Sequence, residues 1–131
     1  MNVRLLRKIQ EHILAEPKRY EQESWATSCG TAACIGGWAC ILTGSRPKSV
    51  ANETFDVFGK ARRVLGLEYE AAERLFSVPC EYVVRNAAIF KARYIWPLKY
   101  QKRYLAAKTA KGRVRVAIDR INHFIKTKGA E

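Results

Sequence analysis

Between Arg85 and Lys128 the sequence holds a single acidic residue, Asp119, against 13 lysines and arginines, so this stretch carries a formal charge of +12. Acid is what this third of the chain lacks, and the lack excludes a surface neutralised by interleaved ion pairs. Residues before Arg85 balance at 11 basic against 10 acidic, and Glu131 cancels the remainder, so the net charge of the whole chain, also +12, arises in its C-terminal third. A neutral body with a concentrated basic surface implies an anionic partner, most often phosphate.

Other absences narrow the classes further. The longest uncharged apolar stretch, Thr31 to Thr43, is about seven residues short of a bilayer span, and its glycines suit a buried helix better. The first residues pass within a turn from Arg7 and Lys8 to Gln10, Glu11 and His12, without the apolar run and small-residue cleavage site of a signal peptide. Cys29, Cys34, Cys40 and Cys80 lack the spacing of a secreted disulfide framework and are expected to stay reduced. A soluble, cytoplasmic protein with no membrane partner is therefore expected. There is no strand-period alternation, internal repeat or low-complexity tract. Zinc-finger spacing, an aromatic nucleotide-binding strand motif and a phosphate-binding glycine loop are missing too, and no helix-turn-helix can be assigned. Neither a metal nor a cofactor is expected.

At 131 residues the chain fits one domain, long enough to bury a core without staples. Leu5, Leu6, Ile9 and Ile13 recur with helical period and predict an amphipathic first helix ending near Pro17. Residues 31–43 are apolar all round and predict a helix enclosed by others, with Ala32, Ala33, Gly36, Gly37 and Cys40 allowing close approach. Gly44 to Ser49 reads as a loop. A third helix is expected from about Asn52 to Gly66, and a short fourth one with Glu68, Glu70 and Glu73 at its positive end, finishing at Leu75-Phe76 and broken by Pro79. Residues 80–95 are diffusely helical. Trp96-Pro97 restarts the chain into a helix running to about Ala110, with Gly112 as the stop. The last helix buries Val114, Ala117, Ile118, Ile121, Phe124 and Ile125, with Arg115, Asp119, His123 and Lys126 opposite. The predicted fold is all-α: a compact single-domain bundle, residues 1–131, of five to seven helices around the buried segment 31–43, with a strongly basic C-terminal third, 85–128.

Cys29-Gly30-Thr31-Ala-Ala-Cys34-Ile-Gly-Gly37-Trp38-Ala39, together with Leu65-Gly66-Leu67, Leu75-Phe76, Trp96-Pro97 and Arg120-Ile121 with Phe124-Ile125, resembles small all-helical proteins predicted from bacterial and phage genomes. The resemblance covers most of the chain, and its specific part is the CGTxxCxxGWA motif. It implies a bacterial or phage setting and carries no chemistry. Residues 77–95 are longer and more basic than in similar sequences.

The leading candidate site is the basic segment, where Lys and Arg interleave with Phe90, Tyr94, Trp96, Tyr100 and Tyr104. Cations neutralise phosphates and rings stack on bases. The phosphate-binding candidates are Arg93, Lys99, Lys102, Arg103, Arg113 and Arg115, with Trp96 and Tyr100 for stacking. The competing reading puts the rings in the core and the charges on a solvated face.

Cys29 is the sharpest catalytic candidate: a thiol just before a helix has its thiolate favoured by exposed amides, and His12 or His123 is available as base. Against it, small cysteines are ordinary packing residues in an apolar helix. No catalytic residue is therefore assigned. Zinc is disfavoured because Cys34 and Cys40 point about 120° apart on a helix and no close cysteine pair exists. The leading function is a non-enzymatic binding protein for nucleic acid or another polyanion. The alternatives are a binder of a nucleotide-like small molecule, an inhibitor of an acidic host protein, and a cysteine-dependent enzyme.

Overall fold

The computed structural model describes residues 1–89 and 95–131 and is all-α. α1 spans Val3–Ala15, and the Asn2 side chain caps it by accepting from the Leu5 amide at 3.0 Å. Leu5, Leu6, Ile9 and Ile13 form its buried stripe, as their spacing predicts. Pro17 cannot continue the helix and opens a 3-10 turn, Pro17–Arg19. α2 is Ile35–Ile41, α3 Pro47–Ala51, α4 Val57–Leu65, α5 Tyr69–Phe76 and α6 Glu81–Arg85. α7 is Leu98–Ala106 and α8 Ala110–Lys126. α2 packs chiefly on α4, while α8 packs on α1 and α7.

The helices among the described residues number eight, above the expected five to seven, because α3 and α6 are single turns that periodicity does not resolve. Several boundaries move for local reasons. Asn52 ends α3 instead of starting a helix, and Asp56 caps α4 by accepting from the Gly59 amide at 2.8 Å. Gly66 closes α4 in the left-handed region, φ 60°, as expected of a glycine at that position. Gly112 is not a stop: Thr109 caps α8 and accepts from the Gly112 amide at 3.0 Å, so the glycine lies in the first turn.

The largest correction concerns residues 31–43. Only Ile35–Ile41 is helical, and the N-cap is Cys34, whose sulfur accepts from the Gly37 amide at 3.3 Å. The preceding residues run extended, with Ala33 bridged to both Tyr20 and Ala26. The neighbour that most demands the glycines of α2 is Trp25, with Phe76 of α5 3.3 Å from a Cβ placed on Gly36. A Cβ on Gly36 would stand 2.6 Å from Trp25 Cζ3, and one on Gly37 would overlap the Trp25 carbonyl oxygen. Trp25 in turn meets Phe76 edge-on at 5.9 Å. A loop indole laid across a helix is invisible to periodicity, whereas the buried, small-residue character of α2 is not.

Gly37→Leu is accordingly expected to unfold or aggregate the protein, since backbone cannot retreat as a flexible side chain can, and the overpacking loss is at least about 1–3 kcal/mol. A thermal melt against the parent protein checks this, and an unchanged melting temperature contradicts the packing described.

Candidate nucleic-acid interface

α7 and α8 form an antiparallel hairpin through residues 107–109. Tyr100 lies against His123 with ring centroids 5.5 Å apart, and Arg103 Nη2 lies 2.6 Å from Asp119 Oδ2. At 3.6 residues per turn Lys99, Lys102 and Arg103 share one face of α7, and all three are exposed. On α8 Lys111, Arg115, Asp119 and Lys126 fall on one stripe by the same spacing, and all four are exposed. Lys108, exposed in the connection, joins the two rows. Lys108, Lys111 and Lys126 lie beside the phosphate-binding candidates without being among them, and for Lys111 and Lys126 helical spacing from Arg115 is the signal that finds them.

The rings lie on the other side. Trp96 is fully buried, with its indole N–H donating to the Leu75 carbonyl at 3.0 Å. Tyr100 is 6% exposed, Tyr104 5% and Phe124 0%. The expectation that Trp96 and Tyr100 stack on bases is therefore corrected: a ring with no free face cannot receive a base. Tyr100 keeps an electrostatic link to the surface, because Lys99 Nζ stands 4.9 Å and Arg103 Cζ 5.9 Å from its centroid. The core takes these rings because the body of the protein offers apolar partners to one face of each helix only.

The remaining candidates divide. Arg93 lies outside the described residues, as do Phe90, Lys91 and Tyr94. Arg113 and Arg115 are two positions apart, roughly 200° on a helix, and the structure separates them. Arg115 is exposed on the stripe, whereas half-buried Arg113 donates to the Ala107 carbonyl at 3.4 Å. Arg113 lines a cleft of about 450 Å³ with Lys18, Tyr20, Glu21, Glu23, Ala32, Tyr104 and Ala110. Arg120 contributes to the sequence charge but not to any surface. It is fully buried, donates to the carbonyls of Glu131 at 2.9 Å and Arg74 at 3.4 Å, and lies 5.3 Å from the Phe124 ring centroid. Burial lowers its pKa to about 10, which still leaves it charged at neutral pH.

Cys29 is not at a helix end, since α2 begins six residues later at Ile35. Its sulfur is exposed and lies 3.5 Å from Thr27 Oγ1 and 2.9 Å from Thr31 Oγ1. Those hydroxyl contacts, Thr27 first, bring the thiol down to about 7. Each histidine has another neighbour. The His12 ring packs on Trp38 with centroids 4.2 Å apart, and burial lowers its pKa. His123 Nε2 is 2.7 Å from Glu131 Oε2. Cys34 and Cys40 are buried, and burial raises them to about 12 and about 11. Among the described residues no group of histidine, cysteine and acidic side chains is arranged to hold a metal, and no helix is long and apolar enough to cross a membrane.

No protein-family model, curated protein or solved structure matches the chain.

Cys29 is expected to alkylate with iodoacetamide at half its maximal rate near pH 7, one to two pH units below an ordinary thiol, because rate follows the thiolate fraction. Cys34 and Cys40 remain unreacted in the folded protein. Peptide mass spectrometry across a pH series checks this, and a midpoint above about pH 8.5 contradicts the assigned hydroxyl contacts.

Proposed function

We propose that the protein is a non-enzymatic binder of nucleic acid that engages phosphates through the outer face of α7 and α8, in a bacterial or phage cytoplasm. The observation that carries this reading is the exposed set Lys99, Lys102, Arg103, Lys108, Lys111 and Arg115 on one hairpin, with Asp119 as its single acid. Among the described residues Lys102, Lys108, Lys111 and Arg115 form no ion pair. Unpaired cations gathered on one face bind a polyanion by releasing its condensed counterions, an effect that grows with each phosphate neutralised. Contacts of this kind position a protein on a backbone without reading sequence.

A second reading, a nucleotide-like small molecule, is favoured by the cleft beside Arg113. Its volume of about 450 Å³ lies within the usual range for small ligands. Lys18 and Arg113 would face its phosphates, but Glu21 and Glu23 line the same cleft and offset both cations. The hairpin, with one acid among many cations, is the better anion surface.

Replacing Lys99, Lys102 and Arg103 together by Glu is expected to abolish association with DNA or RNA at moderate salt. Helicity survives, because exposed substitutions change stability by about 0.5 kcal/mol or less each. A binding isotherm and a circular dichroism spectrum on one sample check both statements. Unchanged affinity in the variant, or no affinity in the parent, refutes the proposal.

A further inference from the structure

The single acid of the basic segment stands inside the cationic stripe of α8, with Lys111 and Arg115 before it and Lys126 after it. At 1.5 Å per residue the stripe from Lys111 to Lys126 extends about 22 Å. Asp119 Oδ2 is 2.6 Å from Arg103 Nη2, and the two side chains are 49% and 48% exposed. An ion pair this open to water is weakly held, so the guanidinium can exchange its carboxylate for a phosphate, whose oxygens suit the same planar fork. Exchange leaves the Asp119 carboxylate bare beside the incoming phosphate, and the two repel. The acid therefore subtracts from the attraction of the face that surrounds it.

Among the described residues the same face has no ring to offer. Trp96, Tyr100, Tyr104 and Phe124, the described aromatic residues of the segment, are all buried. Proteins that hold single strands rely on exposed rings as platforms for unpaired bases. A duplex keeps its bases stacked internally and presents one phosphate charge per roughly 1.7 Å of axis, so a stripe of about 22 Å spans roughly 13 of them. Charge density without a stacking platform matches a duplex and wastes the bases of a single strand.

We propose that the α7–α8 hairpin is a docking face for double-stranded nucleic acid, held through its phosphates alone, with Asp119 limiting the affinity by competing for Arg103. This rests on the function proposed above. Other charged groups stand near the stripe. Arg7 of α1 donates to Asn122 Oδ1, Glu11 lines the groove beside them, and Glu131 holds His123 at the far end of the hairpin. Arg103 is ion-paired with Asp119 and with none of these, so removing the Asp119 carboxylate changes one local charge.

The test uses the full chain and Asp119→Asn, each titrated with DNA and RNA duplexes of about 20 base pairs and with single strands of equal length, across a salt series. The parent is expected to bind a duplex at least about fivefold more tightly than the strand, the duplex having the higher charge density. With five or six cations engaged, the slope of log affinity against log salt is about −5, at roughly 0.9 per neutralised phosphate. Asp119→Asn is expected to bind the duplex about three- to tenfold more tightly and to steepen the slope by about 0.9. Asp119→Ala, which removes the amide as well, changes in the same direction. Comparison of the DNA and RNA arms reports which duplex geometry supplies the phosphates. Equal or tighter binding of single strands overturns the proposal, as does unchanged or weakened duplex binding by both Asp119 variants. If parent and variants bind none of the four polymers, the underlying nucleic-acid reading falls with it.

Discussion

Aromatic rings and cations share α7 and α8, and the burial of the rings decides where the cations go. Trp96, Tyr100, Tyr104 and Phe124 are packed into the core, where each large ring removes on the order of 150–250 Å² from water. No rearrangement of charged side chains offsets a loss of that size, so the rings fix the rotation of both helices. With that rotation set, Lys99, Lys102, Arg103, Lys111 and Arg115 have only the outer face to occupy. The basic surface is thus a consequence of core packing as much as of composition.

The body that receives the hairpin is organised by a similar close contact. Trp25 lies over the glycine pair of α2 and reaches Phe76 on α5, and α2 packs in turn on α4. Arg120 occupies the opposite situation, a cation taken inside. Its two main-chain acceptors, on Glu131 and Arg74, and its position by the Trp96 and Phe124 rings replace part of its water, while the buried Nε has no hydrogen-bond partner among the described residues. Desolvation disfavours the charged form, but a guanidinium keeps its proton at any physiological pH. Net sequence charge therefore overstates the surface charge of this segment, because one of its arginines is internal.

Much of this fold is legible in the sequence because its long helices bury regular stripes. The stripe of Leu5, Leu6, Ile9 and Ile13 and that of Val114, Ala117, Ile121 and Phe124 lie where their spacing puts them. Extended residues before Cys34 escape such reading because a continuous apolar run does not distinguish a helix from a buried extended segment. In the candidate site, lysines and arginines on one helical face are legible from spacing alone. The inward turn of Trp96 and Tyr100 is not, since interleaving with cations occurs equally in a binding platform and in an amphipathic helix. Two residues of the same type, Arg113 and Arg115, end on different surfaces for a reason that only helical phase supplies.

Lysine reactivity mapped along the intact protein tests the central claim most directly, that phosphate is met by the outer face of the hairpin and nowhere else. With brief acetylation in the presence and absence of saturating duplex, the account predicts strong protection of Lys99, Lys102, Lys108 and Lys111, all exposed when free. Lys18 and Lys48, exposed on the body, keep their reactivity. Protection of Lys18 or Lys48 with the hairpin lysines unchanged would contradict it, because the anion would then lie on a surface whose charges are already balanced.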